Sequence, residues 1–215
     1  MKKLLYITAN TKPEELSSSR TVARRLVNRI CEENSDIQVT ELDLYTAPIP
    51  VIKYNYFEGR NSLVNAETLK DLTISEQADV TQINQLCDQF VDHDIYILAS
   101  PMWSMSYPAI VKQYLDCIIM AGKTIAFKND KPHGLLNDRK RLFIYVQSSG
   151  MSLPFFLRPM LNKGLGYVED IVKFMGISDF KELLVDGTGT TESERLDAIS
   201  QAEAKIDDLL SLLEN

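Results

Sequence analysis

Residues 94–100 (DIYILAS) and 141–147 (RLFIYVQ) are apolar at nearly every position. Such runs mark strands covered on both faces, which confines the chain to a sheet with helices on either side. The remaining pattern agrees. Residues 3–9 read as a first apolar strand, residues 37–44 (IQVTELDL) as a half-apolar second strand near an edge, and residues 180–186 as a fifth. Between the strands, apolar residues recur at helical spacing: Val22, Ala23, Leu26, Val27 and Ile30, then Ile83, Leu86, Cys87 and Phe90. Further helical patterns cover residues 106–120, residues 157–175 and a last stretch through Leu196, Ile199, Ile206, Leu209 and Leu213. Thr73-Ile-Ser-Glu76 and Thr191-Glu-Ser-Glu194 have the form of capping boxes that open two of these helices. Strands and helices in strict alternation predict an α/β fold: a doubly wound, open five-stranded parallel sheet of order 2-1-3-4-5 with helices on both faces.

Residues 1–215 read as one domain, since no linker, repeat or low-complexity segment interrupts the pattern. The formal charge of −7 argues against nucleic acid or an anionic membrane as a partner. No apolar run reaches the roughly 18 residues that span a bilayer, and the first apolar run is too short for a signal-peptide core. A cytoplasmic location is therefore expected. Cys31, Cys87 and Cys117 sit in apolar helical patterns and read as buried thiols in a reducing compartment. His93 and His133 do not pair with a cysteine at metal-ligand spacing, so no metal is expected. Two segments fall outside the alternation. Residues 45–72 hold Pro48, Pro50 and the aromatic cluster Tyr54, Tyr56 and Phe57, and read as a surface excursion serving a subunit contact or a pocket rim. Residues 123–138 read as a polar loop.

In a sheet of this order, ligands bind outside the carboxyl ends of the strands beside the switch point between strands 1 and 3. Three loops of unusual composition leave the sheet there. The first, residues 10–19, ends in Ser17, Ser18 and Ser19 at a helix start. Free backbone N–H groups, the positive end of the helix dipole and hydroxyl donors together make an anion site. Three serines exceed what a cap requires. The first glycine of the chain is Gly59, so the glycine-rich dinucleotide and triphosphate loops are both absent. The second loop, Pro101-Met-Trp-Ser-Met-Ser-Tyr-Pro108, offers Met102, Trp103 and Met105 as a flat, polarisable wall, and Trp103 is the only tryptophan. The third, Gln147-Ser-Ser-Gly150, offers small hydrogen-bonding residues to the edge of a planar ligand. A phosphate site next to a wall for a flat ring points to flavin mononucleotide (FMN).

Several further segments carry a family resemblance: Ala47-Pro-Ile-Pro-Val51, Lys112-Gln-Tyr-Leu-Asp116, Ala121-Gly-Lys-Thr124, Pro132-His-Gly-Leu135 and Phe174-Met-Gly-Ile177. Together with the serine loop and the 101–108 segment, in this order and spacing, the chain resembles the FMN-dependent NADH azoreductases, also called FMN-dependent NADH:quinone oxidoreductases, of flavodoxin-like fold. The resemblance implies that Asn10, Ser17, Ser18 and Ser19 bind the FMN phosphate and ribityl chain. It implies that Pro101, Met102, Trp103, Ser104 and Met105 line the ring, and that Gln147, Ser148, Ser149 and Gly150 meet its pyrimidine edge. It also implies a homodimer with each flavin near the subunit boundary. Trp103, Tyr56 and Phe127 are expected at the substrate pocket. Two departures bear on substrate range: many relatives read S-R-G-G where this chain has Gln147-Ser-Ser-Gly150, and Phe-x-Tyr where it has Ile125-Ala-Phe127.

The resulting expectation is an enzyme that moves hydride from NADH or NADPH through the flavin to a quinone or an aromatic azo compound, both halves using one site. A flavodoxin-type electron carrier is the main rival, disfavoured by the two excursions. A flavin-free regulatory protein of the same fold is another. A hydrolase lacks its nucleophile or metal constellation.

Overall fold

Alternation along each strand decides which core it feeds. In the computed structural model, which describes residues 1–211, β1 (Lys3–Thr8) turns Leu5 and Ile7 to one side of the sheet and Leu4 and Tyr6 to the other. In β5 (Ile95–Pro101) Tyr96 and Leu98 share the first side, and Ile95, Ile97 and Ala99 the second. In β8 (Leu142–Ser149) Phe143 and Tyr145 face one way, and Leu142, Ile144 and Val146 the other. The continuous apolar runs are thus two interleaved half-patterns, one per core. The five strands pair in parallel in the order β2-β1-β5-β8-β9, with β2 (Gln38–Asp43) and β9 (Asp179–Asp186) at the edges. This is the expected order once two small hairpins are set aside.

One face is covered by α1 (Ser18–Glu33), α6 (Glu192–Glu203) and α7 (Ile206–Ser211). The other is covered by α2 (Ile74–Asp92), α3 (Ala109–Ile118) and α5 (Lys163–Phe174). The chain leaves β1 across one face to reach β2, then crosses the other face to reach β5. Loops after β1 and β5 therefore diverge, and a crevice opens between them. Both capping boxes form: Thr73 with Glu76 and Thr191 with Glu194 each exchange side-chain and backbone bonds. The expectation at Leu213 lies outside the described residues.

The excursion at 45–72 carries more structure than its composition suggested. It holds a small hairpin, β3 (Phe57–Gly59) and β4 (Ser62–Leu63), and a helical turn that drives Tyr56 wholly into the core. There the Tyr56 hydroxyl donates to Asp79 Oδ2 at 2.5 Å. The expectation of Tyr56 at a pocket rim is corrected: its ring is enclosed and its hydroxyl engaged. The segment is anchored on α3, Gln113 Nε2 donating to the Ile49 carbonyl (2.5 Å) and Asn61 Nδ2 to that of Ile119 (3.0 Å). Residues 123–138 contain a second hairpin, β6 (Ile125–Lys128) and β7 (Lys131–Gly134), turning on Asn129 and Asp130 at φ 51° and 59°. Asn and Asp tolerate this left-handed backbone, so the turn suits its residues. The helix expected over 157–175 is broken at Asn162 into α4 (Arg158–Leu161) and α5. Among the described residues, no helix is long and apolar enough to cross a membrane, and no group of three or more His, Cys, Asp or Glu is placed to hold a metal.

At the opposite end of the sheet, Arg141 is a buried cation that closes the last turn of α2. Its guanidinium donates to the carbonyls of Val91 (3.0 Å), His93 (3.2 Å) and Leu136 (3.2 Å), and it pairs with Asp138. A cation at a helix C-terminus is favourable in both hydrogen bonding and dipole terms. Arg141→Met removes the guanidinium from the Leu136 carbonyl, whereas Arg139 still reaches the carbonyls of Val91 and His93 and the Tyr96 hydroxyl that of His93. The substitution is expected to cost about 1–2 kcal/mol in urea unfolding. A loss under about 0.5 kcal/mol would show that water replaces the guanidinium. Burial pushes the thiols of Cys87 and Cys117 up to about 12, whereas Cys31 is partly exposed. Alkylation of the native protein at pH 8 should label Cys31 alone, with Cys87 and Cys117 reacting only in denaturant.

Candidate functional site

The cleft lies where the topology opens the sheet, and its first wall is the start of α1. After β1 the chain passes Asn10 and a short helical turn (Glu14–Leu16), then reaches Ser17, the N-cap of α1. Ser17 Oγ accepts twice, from Asn10 Nδ2 (2.8 Å) and from the Arg20 backbone N–H (3.4 Å). Its own proton is therefore free to donate, to Ser19 Oγ at 3.4 Å or to an anion. The N–H groups of Ser18 and Ser19 stand in the first turn, where no intrahelical carbonyl can receive them. Arg20 acts behind the loop. Its Nη1 donates to the carbonyls of Asn10 and Lys12 (3.2 Å each) and pairs with Asp43 (3.3 Å).

The second wall is a two-residue turn under strain. Trp103 and Ser106 exchange backbone bonds of 2.9 Å in both directions. Between them Ser104 and Met105 both lie in the left-handed region, at φ 49° and 62°. This geometry ordinarily selects Asn-Gly. Here it lifts Trp103 and Met105 to the surface, 45% and 51% exposed. Strain of this kind persists where the surrounding structure imposes it, and it concentrates at functional sites.

The third wall uses only part of the predicted loop. Ser148 and Gly150 line the cleft, but Gln147 and Ser149 do not. Gln147 falls on the same face of β8 as Phe143 and Tyr145, and is 1% exposed. Its Nε2 donates to the Tyr145 hydroxyl (3.1 Å), and its Oε1 accepts from Asn162 Nδ2 (2.5 Å). Burial pushes the Tyr145 phenol up to about 12, so it stays protonated.

A fourth wall, unforeseen from the sequence, follows β9. Residues 188–192 and Arg195 complete the cleft, which encloses about 340 Å³. Thr188 N–H and Gly189 N–H donate to the carbonyls of Ser149 (3.0 Å) and Gly150 (3.1 Å), tying the third and fourth walls together. Gly187 and Gly189 take φ 77° and 56° to make this approach. Arg195 holds Glu192 in a two-pronged pair (2.8 and 2.7 Å) that keeps the Glu192 carboxyl below its usual range. The Arg195 Nη1 is buried without a partner among the described residues. The run Gly187-Thr-Gly-Thr-Thr191 was the available signal.

Of the sequence-predicted residues, the structure thus gathers Asn10, Ser17, Ser18, Pro101, Met102, Trp103, Ser148 and Gly150 around one cleft. Ser19 lies buried just behind, and Ser104 and Met105 form the turn beyond the wall. Phe127 stands on β6 with the Arg60 guanidinium 4.7 Å above its ring, outside the cleft wall. The donor set of hydroxyls, amide and helix N–H groups suits a phosphate. The orphaned Arg195 Nη1 and the exposed Trp103 suit a polar ligand that carries a flat ring.

A family model described as a flavodoxin-like fold matches residues 2–210, the class that the sheet order and the cleft define. A protein of Ruminiclostridium cellulolyticum called FMN-dependent NADH:quinone oxidoreductase is 60% identical over 210 residues, covering 98% of this chain and 99% of that protein. A Clostridium botulinum (strain Eklund 17B / Type B) protein of the same name is 53% identical, with 98% of each chain covered. The chain belongs to the FMN-dependent NADH:quinone oxidoreductase/azoreductase family. Among solved structures, an FMN-dependent NADH-azoreductase from Bacillus anthracis in complex with FMN shares the fold with a TM-score of 0.84, at 21% identity and 100% coverage of both chains.

The strained turn makes a direct test of the second wall. Met105→Gly removes a side chain yet relieves the left-handed backbone, and should be at least as stable as the parent in urea. Met105→Val should lose about 1–2 kcal/mol, because a branched Cβ is disfavoured at positive φ. Equal losses in both would mean that the Met105 side chain, not its backbone, matters.

Proposed function

We propose that the cleft holds FMN and that the protein reduces quinones, and aromatic azo compounds, with electrons from NADH or NADPH. The observation that carries this reading is Ser17: a buried hydroxyl that accepts twice and so can turn its proton to an anion, at a helix N-terminus lining the same cleft as Trp103. Asn10, Ser17 and Ser18, with Ser19 behind them, would hold the phosphate. Pro101, Met102 and Trp103 would lie along the ring. Ser148 and Gly150, with Thr188 behind them, would meet its polar edge. The names of the curated relatives support FMN, NADH and quinone as the reacting set.

Bound FMN supplies two-electron hydride chemistry, which the side chains position. This chain's residues bind and orient. The α1 N-terminus neutralises the phosphate with donors that need no titration. The exposed Trp103 would supply flat apolar surface at the mouth of the cleft for the cofactor and its reaction partner. Backbone donors near residues 148–150 favour negative charge at the ring edge. The thiols of Cys87 and Cys117 are buried, and neither lines the cleft, so the reading uses no thiolate nucleophile. The working unit would be a homodimer, as the resemblance read from the sequence implies.

The purified protein mixed with FMN should be yellow, bleach on adding NADH without oxygen, and recolour with benzoquinone. Failure to retain FMN would overturn the reading. Bleaching without recolouring by quinone or azo dye, but with recolouring by a protein acceptor, would favour the electron carrier. Ser17→Ala removes one charge-assisted donor and is expected to weaken FMN binding about 10- to 100-fold, with about 1 kcal/mol lost from the helix cap. Unchanged affinity would relocate the phosphate.

A further inference from the structure

The strained turn at Ser104 and Met105 is held from outside by the first turn of α5. Lys163 N–H donates to the Met105 carbonyl at 2.9 Å, and Gly164 N–H approaches the same oxygen at 3.4 Å. The contact is close. A Cβ at Gly164 would lie 2.8 Å from the Ser106 Cα and 2.9 Å from its carbonyl carbon, so the turn rests directly on helix backbone. The start of α5 is in turn fixed by Asn162, which does two things at once. Its Oδ1 caps the helix by accepting from Leu165 N–H (3.2 Å), and its Nδ2 donates to Gln147 Oε1 (2.5 Å). From Gln147 the bonds continue to Tyr145 (3.1 Å) and to Ser100 Oγ on β5 (2.8 Å). Asn162 and Gln147 are 5% and 1% exposed, and Ser100 and Tyr145 are fully buried.

We propose that Asn162 and Gln147 are a positioning pair that sets the place and angle of Trp103 by locking the α5 N-terminus against the sheet. The chain of contacts is continuous. Ser100 leads directly into Pro101 and the Trp103 turn, and β5 and β8 carry the network in register, Ser100 opposite Gln147. From Gln147 the path crosses to Asn162, then to the Lys163 N–H and the Met105 carbonyl. It closes on Trp103 through the two-residue turn. The second wall is thus fastened at both ends to one buried polar network. A turn with Asn-Gly in place of Ser-Met would hold its shape alone, whereas this one depends on an external clamp. Gln147, expected to touch the ligand, acts through another residue. The assignment of Trp103 as a flavin wall rests on the function proposed above, but its fixation by Asn162 does not.

Three variants separate positioning from capping. Asn162→Ser keeps an oxygen for the Leu165 N–H but is too short to reach Gln147. Asn162→Asp keeps the cap and restores the bond once the Gln147 amide turns over. Asn162→Ala loses both. The readout is the emission of the single tryptophan in FMN-free protein: its maximum and its quenching by acrylamide. FMN affinity is measured alongside, with thermal midpoints as the structural control. Asn162→Ser should raise the acrylamide quenching constant of Trp103 at least twofold and weaken FMN binding about tenfold, with a midpoint near that of the parent. Asn162→Asp should return both within twofold. Parental Trp103 quenching in Asn162→Ser, or equal disturbance in Asn162→Ser and Asn162→Asp, would overturn the proposal. If the parent protein binds no FMN, the function proposed above falls, and the emission comparison still decides the positioning role.

Discussion

The parallel pairing of β1 with β5 is the constraint on which the molecule depends. Every residue from Leu4 to Thr8 lies opposite one from Ile95 to Ala99, and successive side chains go alternately into two separate cores. That arrangement requires apolar residues at all positions of the central strands and helices on both faces. Because α1, which follows β1, and α3, which follows β5, leave for opposite faces, the carboxyl ends of these two strands are not covered by a helix from either side. The cleft is a consequence of the winding, and the loops that fill its walls are the places where sequence can vary in chemistry without disturbing the cores.

The central strands, the helix faces and both capping boxes were legible because each depends on short-range periodicity or on a side chain bonding its own helix start. Sheet order followed from the strict alternation of strands and helices. The helix start capped by Ser17 was legible for the same local reason. What escaped depends on contacts between distant segments. Tyr56 looks like any member of an aromatic surface cluster until a helical turn aims it at Asp79. Ser104 and Met105 carry no left-handed preference, so nothing local announces the turn that α5 imposes. Gln147 is instructive because its orientation was available: two residues on from Tyr145, it had to share that residue's face. The wall after β9 was signalled by alternating glycine and threonine, a pattern whose meaning emerges only when Thr188 and Gly189 are seen donating to the third loop.

Polar groups are concentrated in two systems that meet at the cleft. One surrounds Ser17, and combines Asn10, Ser19 and Arg20. The other runs from Ser100 through Tyr145 and Gln147 to Asn162. Both are buried, so their bonds are strong relative to those at the surface and their geometry is narrow. The site therefore has a rigid polar frame behind a partly exposed apolar lip of Trp103 and Met105. On the function proposed above, such a division would let flat molecules of different outline share the lip while the frame holds one polar group.

The disposition of Arg20 has a further consequence. Its Nη1 is engaged by two carbonyls and Asp43, while its Nε is buried without a partner among the described residues, so the positive charge nearest the serines is partly engaged within the protein. Attraction for an anion at the serines would then combine fixed dipoles and hydroxyls, which mobile ions screen weakly, with the charges of Lys12 and Arg195 in the same cleft. Binding of an anion held in this manner would weaken with salt only by the share that Lys12 and Arg195 contribute.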